Sequence, residues 1–178
     1  MISVEQSILE LKNKKPIIIF DKDNENEGDL VFPSEIINIE ILNFMLNNCK
    51  GVICQTLNEN LIQKLEIPVF KKFGENKTGQ TNFVYPIDHI KSETGISSKD
   101  RMMIIKEIIN DNASKKNFVF PGHQNLLKIS NNGLRTRQGH TESSSYIVNK
   151  AGYKESAVIC EIIDNQGVPM RQDSIVQF

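Results

Sequence analysis

Short β-branched apolar runs alternate along this chain with segments whose apolar residues recur at helical spacing. The runs are short and end in polar or turn residues, so they predict buried strands. The predicted strands are residues 16–20, 30–32, 51–57, 82–87, 118–120, 126–129 and 157–163; the predicted helices are 3–14, 34–48, 58–65, 97–110 and 141–150. This alternation predicts the α/β class, of the α+β type, with one mixed β-sheet flanked by helices in a single domain over residues 1–178.

Local capping signals set several of these boundaries. Ser34 is a candidate N-cap for the second helix, and Ser97 with Asp100 forms a helix start of the Ser-x-x-acid kind. Gly152 ends the last predicted helix. The polar, glycine-containing segment 70–80 predicts a mobile surface loop.

Charge and hydropathy exclude several classes of function. The 178 residues carry a net charge of -1, so no global field recruits nucleic acid or an anionic membrane. No apolar run approaches the ~20 residues that span a bilayer, and the N-terminus lacks a signal-peptide pattern. The three cysteines form an odd set without metal-type pairing, which predicts reduced thiols in a cytoplasmic compartment. We therefore expect no nucleic-acid and no membrane partner.

Five carboxylates lie within the nine residues from Asp21 to Asp29, directly after the first predicted strand. An acidic loop can hold a hard divalent cation through its oxygens. The segment does not match a calcium loop, because Gly28 is its eighth residue instead of its sixth and Phe32 stands at the closing Glu position. The alternative interpretation is a solvated acidic turn.

A second stretch places a cation, an imidazole, a hydroxyl and a carboxylate within six residues, Arg137-Gln138-Gly139-His140-Thr141-Glu142. Arg and Thr together can hold a phosphate or another oxyanion, and an imidazole can act as base, acid or metal ligand. With the acidic loop, this stretch predicts a metal-assisted enzyme that acts on a small anionic molecule.

Single residues outside these stretches are less informative. His123 also stands beside a glycine, whereas His89 has no such surroundings and is interpreted as structural. Cys54 ends an apolar run and is interpreted as a small core residue. Glu161 lies in another apolar run, where it must face solvent, a metal or a partner, because burying it unpaired is costly.

Several motifs occur together in a fixed order over nearly the whole chain. They are Glu25-Asn26-Glu27-Gly28-Asp29, Thr94-Gly95-Ile96-Ser97 with Asp100-Arg101, Pro121-Gly122-His123, Arg137-x-Gly139-His140-Thr141-Glu142, Cys160-Glu161 and Gly167…Met170-Arg171. In this order the chain resembles the 3,4-dihydroxy-2-butanone 4-phosphate synthases of riboflavin biosynthesis, in their monofunctional form. The resemblance implies a homodimeric lyase with active sites near the subunit interface. It implies Mg²⁺, with Mn²⁺ as an alternative, and conversion of ribulose 5-phosphate to formate and 3,4-dihydroxy-2-butanone 4-phosphate.

The same resemblance implies roles for individual residues. Glu25 and His140 correspond to metal ligands, and Glu27 and Asp29 to acidic residues that handle substrate hydroxyls and protons. The implied catalytic residues are His123, Glu161, Glu27, Asp29 and Cys54. The implied substrate-binding residues are Asn24, Glu25, Asp29, Thr94, Arg137, Gln138, Gly139, His140, Thr141 and Glu161, with Arg137 and Thr141 as the phosphate binders.

Three positions depart from the family pattern. Asn24 and Phe120 stand where the family usually has Arg, and Glu93 adds a carboxylate in a segment one residue shorter than usual. Losing a charge-assisted hydrogen bond costs on the order of 1.5–3 kcal/mol. These departures keep two alternatives open: a paralogue that acts on another sugar or sugar phosphate, and a non-catalytic binding or regulatory homologue.

Overall fold

The computed structural model describes residues 1–70 and 80–178, so most of the predicted loop at 70–80 lies outside the described residues. The helices are α1 (Val4–Lys12), α2 (Ile39–Phe44), α3 (Glu59–Lys64), α4 (Ser98–Ile108), α5 (His140–Lys150) and α6 (Gln172–Ile175). The strands are β1 (Ile17–Asp21), β2 (Glu27–Pro33), β3 (Cys54–Leu57), β4 (Phe83–His89), β5 (Phe118–Lys128) and β6 (Ala157–Glu161). Within the described part, no helix is long and apolar enough to cross a membrane.

One mixed sheet of six strands organises the fold, in the order β1-β2-β6-β3-β5-β4. The pairing of β3 with β5 is parallel, and the other neighbouring pairs are antiparallel. The predicted mixed sheet is thereby confirmed. The last strand along the chain, β6, lies between β2 and β3, which brings together segments that are distant in sequence.

Helices cover both faces of the sheet. On one face, α1 and α5 pack through Leu11 and Val148 onto a cluster that includes Val31, Cys54 and Ile159. On the other face, two clusters are built around α2 and α4, with Leu42, Ile105, Ile104 and Ile108 among their members. Buried apolar area on both faces supplies the main stabilising free energy. The α5 face also carries the polar residues described below.

The prediction that Ser34 caps a helix over 34–48 is wrong. Its hydroxyl lies 2.9 Å from the Ser156 hydroxyl in the core, so it is not available to cap a helix. Residues 34–36 form a short 3₁₀ turn, and Asn38 caps α2 by accepting a 2.8 Å hydrogen bond from the Ile41 N–H. The apolar stretch after α2 continues as a π-helical turn over Met45–Cys49.

The predicted separate strands at 118–120 and 126–129 are also wrong, because they are parts of the single strand β5. Pro121-Gly122-His123 lies inside this strand, opposite register shifts on both sides of Ile87. A bulge of this kind tolerates a proline, which has no N–H for the sheet ladder. Smaller differences affect strand ends: β3 begins at Cys54 instead of residue 51, and β6 ends at Glu161 instead of residue 163.

Candidate active site

Three carboxylates are brought together by the pairing of β2 with β6. Asp29 is the register partner of Glu161, and residues directly opposite each other in a sheet present their side chains on the same face. Glu27 lies two positions before Asp29 on β2, so its side chain also points to this face. Glu161 is held in place by the Val52 N–H, which donates a 2.8 Å hydrogen bond to its Oε2 atom.

The N-terminus of α5 meets the acidic turn between β1 and β2. His140 is the first residue of α5, and its Nδ1 atom lies 2.9 Å from Glu25 Oε2. The imidazole is 7 % exposed, whereas the Glu25 side chain is 41 % exposed. Glu25 lies in the exposed turn and thus contacts the buried first residue of α5.

Arg137 joins this pair through a buried ion pair of its own. Its Nη1 atom donates a 2.7 Å hydrogen bond to Glu142 Oε2, and its Nη2 atom donates a 2.8 Å bond to Thr81 Oγ1 and lies 3.6 Å from Glu25 Oε1. Glu142 is itself fixed by the Ser130 N–H, which donates to its other oxygen at 3.0 Å. Glu142 therefore anchors the guanidinium that faces Glu25.

Apart from Glu142, these side chains line one cavity of about 150 Å³. This volume is below the range of pockets that enclose drug-sized ligands, so the cavity suits a small molecule. Its polar lining residues are Glu25, Glu27, Asp29, Cys54, Thr81, Arg137, His140, Thr141 and Glu161. Apart from Cys54 and Thr81, these polar residues are charged or stand at the start of α5, and Phe83, Leu127 and Ile159 complete the lining.

The contact between Glu25 and His140 shifts the pKa values of both groups. The hydrogen bond from His140 holds the pKa of Glu25 below its ordinary value, although burial opposes this shift. Burial alone would lower the pKa of His140, but its hydrogen bond to Glu25 and the charges of Asp29, Glu25 and Asp21 raise it to about 9. In the protein alone, the imidazole is therefore cationic and the carboxylate anionic at neutral pH.

The other acids in the cavity shift in the opposite direction. Burial raises the pKa of Asp29 to about 7, and the neighbouring charges of Glu161, Glu25 and Glu27 add to the effect. Burial and the charge of Glu25 also raise the pKa of Glu27. Burial, with the charges of Glu161 and Asp29, raises the pKa of the Cys54 thiol, so this thiol stays protonated.

The donor set fits a divalent cation with oxygen and nitrogen ligands. Adjacent ligands of an octahedral Mg²⁺ stand about 3.0 Å apart, given metal–ligand bonds of about 2.1 Å. The Glu25 Oε2 and His140 Nδ1 atoms have this spacing, at 2.9 Å. In the same cavity, the buried Asp29 Oδ1 atom has no hydrogen-bond partner. No group of three or more ligating side chains forms a ready site among residues 1–70 and 80–178, so water and substrate would complete the shell.

Five of the predicted site residues, among them Gly139, do not line this cavity. His123 is half exposed on β5, and Thr94 is exposed in the segment before α4. Asn24 and Gln138 line a neighbouring small cavity of about 240 Å³ with Asp21, Asp23 and Gly139. The Asn24 side-chain amide donates to both Asp21 oxygens at 3.2 Å, which ties it to the turn.

Three residues of this region were missed by sequence reasoning. Glu142 was noted only as a carboxylate within the second stretch, and Thr81 and Asp88 were not considered. Asp88 contacts His123 from β4. The hydroxyl of Thr81 and the carboxylate of Asp88 carry no local signal, because their partners are 56 and 35 positions away.

Comparison with known proteins assigns this arrangement to a family. Residues 5–178 match the family model of 3,4-dihydroxy-2-butanone 4-phosphate synthase. The chain therefore belongs to the 3,4-dihydroxy-2-butanone 4-phosphate synthase family of riboflavin biosynthesis.

Curated relatives carry the same family name. A 3,4-dihydroxy-2-butanone 4-phosphate synthase of Campylobacter jejuni is 37 % identical over 99 % of this chain and 52 % of its own length. One of Haemophilus influenzae is also 37 % identical, over 91 % of this chain and 75 % of its own length. The chain thus spans about half of the first relative and three quarters of the second.

Solved structures of the same family share the fold. A two-domain 3,4-dihydroxy-2-butanone 4-phosphate synthase from A. baumannii has a TM-score of 0.93 and 30 % identity, over 99 % of this chain and 52 % of that chain. A synthase from Candida albicans has a TM-score of 0.88 and 31 % identity, over 100 % of this chain and 89 % of that chain. Another, in complex with two magnesium ions, has a TM-score of 0.90 and 28 % identity, over 100 % of this chain and 88 % of that chain.

Proposed function

We propose that this protein is a magnesium-dependent lyase that converts ribulose 5-phosphate to 3,4-dihydroxy-2-butanone 4-phosphate and formate. The observation that carries the proposal is the 2.9 Å contact of Glu25 with His140 in a cavity lined by further carboxylates. Membership of the synthase family supports it. Free, buried thiols at Cys49, Cys54 and Cys160 suit a reducing cytoplasm.

Glu25 and His140 would hold the divalent cation. When bound, Mg²⁺ supplies Lewis-acid polarisation of substrate oxygens, and Mn²⁺ accepts a similar ligand set. The reaction needs repeated proton transfers next to a carbonyl group. Asp29 suits this task, because its raised pKa of about 7 lets it take up and release a proton near neutral pH. Glu27 and Glu161 supply further carboxylates on the same face of the sheet.

The phosphate would bind where α5 begins. Thr141 offers its hydroxyl and a backbone N–H at the N-terminus of an 11-residue helix, where the helix dipole favours an anion. Arg137 also lines the cavity, and its side chain is 10 % exposed. Glu142 and Thr81 accept hydrogen bonds from its Nη1 and Nη2 atoms, which fixes the direction of the guanidinium.

A direct assay tests the proposed reaction. Purified protein with ribulose 5-phosphate and Mg²⁺ should release formate, and EDTA should stop the release. Glu25→Gln and His140→Ala should each abolish it, while Asp111→Asn, which alters an exposed ion pair with Lys154, should keep wild-type activity. Absence of formate, under conditions in which a known synthase is active, would refute the proposal.

The protein would act as a homodimer in which His123 serves the partner's cavity. His123 is half exposed and lies outside the cavity of its own chain, which supports this arrangement. Mixing the impaired His123→Gln subunits with inactive Glu25→Gln subunits should then give about a quarter of the wild-type activity, because random pairing regenerates one complete site in each mixed dimer. No recovery after subunit exchange would place His123 outside the partner's site.

A second candidate function is related chemistry on a different sugar or sugar phosphate. The specific observation in its favour is that Asn24 is bound to Asp21 and brings no cation to the acidic turn. Loss of one charge-assisted contact corresponds to roughly ten- to a hundredfold in binding. A panel of free and phosphorylated pentoses and hexoses distinguishes the candidates, since turnover of ribulose 5-phosphate alone would exclude the second.

A further inference from the structure

A carboxylate–imidazole pair on β4 and β5 is the feature outside the cavity with the most defined geometry. The Asp88 Oδ2 atom lies 2.7 Å from His123 Nδ1. The Asp88 Oδ1 atom accepts a 2.9 Å hydrogen bond from the backbone N–H of the same histidine. Both carboxylate oxygens thus bind His123, one through its backbone and the other through its ring.

The surrounding backbone is shaped around this carboxylate. A Cβ atom on Gly95 would lie 2.3 Å from Asp88 Oδ1, and one on Gly122 would lie 2.1 Å from the carbonyl carbon of Ile87. Gly95 has a φ of +78°, and its N–H donates to Asp100 Oδ2 at 3.1 Å, which holds this segment in place. Two independent segments therefore need glycine next to Asp88.

The contact determines which ring nitrogen can act as a base. A carboxylate accepts hydrogen bonds, so His123 Nδ1 must carry the proton that faces Asp88. In the neutral ring, the proton on Nδ1 leaves Nε2 as the unprotonated nitrogen. The Asp88 side chain is 17 % exposed and the His123 side chain is 52 % exposed, so Asp88 is shielded while the ring remains accessible.

We propose that Asp88 is a positioning residue that holds His123 in the tautomer with a free, proton-accepting Nε2. The proposal rests on the proposed function for the reaction that His123 serves. Nε2 takes a proton from a substrate O–H or C–H group, the bonding electron pair stays on the substrate, and Nδ1 keeps its proton. Gly95 then packs against the Asp88 carboxylate, which helps to hold it in place.

The variant Asp88→Asn reverses this tautomer. The Asn oxygen must still accept the bond from the His123 backbone N–H, which leaves the amide NH₂ group facing Nδ1. Because an NH₂ group can only donate, Nδ1 becomes the acceptor and the neutral ring carries its proton on Nε2. The substitution preserves the shape of the side chain and its contact with the His123 backbone N–H. It removes only the ability of His123 Nε2 to accept a proton.

Histidine nitrogen NMR tests the tautomer without any substrate. The chain has three histidines, so His123→Gln assigns the ring signals, and His89 and His140 serve as internal references. We expect the wild-type protein to have Nδ1 protonated and Nε2 unprotonated in neutral His123, and Asp88→Asn to reverse this. A wild-type ring protonated on Nε2 would overturn the proposal, and this measurement decides it even if Asp88→Asn does not fold.

Kinetics tests whether Asp88 acts through His123. We expect Asp88→Asn to lower kcat for formate release about a hundredfold or more, the usual range for general acid–base catalysis, with little change in KM. In a His123→Gln background the same change should alter kcat by less than about twofold, because residues that act as a unit are not additive. An undiminished further loss in that background would show a purely structural role.

The matched control is Asp111→Asn, which makes the same chemical change at a carboxylate bound to Lys154 and should leave both kcat and the histidine signals unchanged. If the wild-type protein releases no formate, the proposed function fails. The NMR measurement still decides the positioning role in that case.

Discussion

Glu25 and His140 are 115 positions apart in the sequence, and yet Glu25 Oε2 and His140 Nδ1 are 2.9 Å apart. The contact joins an exposed turn to the first residue of α5. In the proposed function each side chain would supply one ligand, and together they would chelate the cation. The pair therefore makes predictions about metal binding that do not depend on turnover.

Removing either member of the pair should weaken Mg²⁺ binding. We expect Glu25→Gln and His140→Ala each to raise the dissociation constant about tenfold or more, since even outer-shell changes at metal sites have effects of this size. Isothermal titration calorimetry with Mg²⁺ measures the constant. Asp23→Asn, which changes an exposed carboxylate of the same turn, should leave it unchanged. Equal binding by all three variants would contradict the assignment.

Gly139 should be required for activity because of the side chain that passes over it. An added Cβ atom would lie 2.3 Å from Arg137 Nη1, so Gly139→Ala should displace the guanidinium from Glu142 and Glu25. We expect a loss of formate release together with a fall in Tm, because the displaced guanidinium leaves the buried Glu142 carboxylate without its ion pair. Gly133→Ala is the control for lost stability alone: its φ of +55° strains the backbone with nothing within 4 Å, so Tm should fall while activity remains.

The buried carboxyl of Asp29 should make metal-free stability dependent on pH. Its pKa is raised from 3.8 to about 7 in the folded protein, so the folded state binds more protons than the unfolded state between these values. The stability contribution is therefore fully present below about pH 4 and lost as the pH rises to about 7. Urea unfolding in EDTA should show Asp29→Asn to be more stable than the wild type above pH 7, with a smaller difference near pH 4. An equal stability difference between Asp29→Asn and the wild type at both pH values would contradict the raised pKa of Asp29.

The cysteine thiols should be inert in the folded protein. Cys49, Cys54 and Cys160 are free and buried, and burial raises the pKa of Cys54. A thiolate is the reactive form, so reaction with a disulfide reagent at pH 7.5 should be slow. Three thiols should titrate rapidly after unfolding in guanidinium chloride. Rapid titration of one thiol before unfolding would identify an accessible, activated cysteine.

Local sequence patterns predicted most helices and strands, because the interactions that begin and end these elements are mostly between residues close in sequence. The capping geometry at Ser97, whose hydroxyl accepts from the Asp100 N–H at 3.1 Å, depends on four consecutive residues. The capping prediction at Ser34 failed because a residue 122 positions away, Ser156, engages its hydroxyl in the core. Tertiary contacts of this kind cannot be predicted from a local motif.

The candidate site also combines features that a local motif predicts with features that depend on tertiary contacts. The second stretch was recognised from sequence, but the pairing of Arg137 with Glu142 depends on how the chain turns into α5. The partner of His123 is Asp88 on β4, one residue beyond the strand predicted over 82–87. The residue types at a site can therefore be predicted from the sequence. Identifying the residues that they contact requires knowledge of the strand order.

The position of β6 has a consequence for the newly made chain. Because β6 begins at Ala157 and lies between β2 and β3, a nascent chain that has not yet reached this strand has two unpaired inner edges. Exposed edges of this kind invite pairing with other chains. Closure of the sheet must wait until β6 has been synthesised, so the open edges of β2 and β3 favour protection of the growing chain by a chaperone until then.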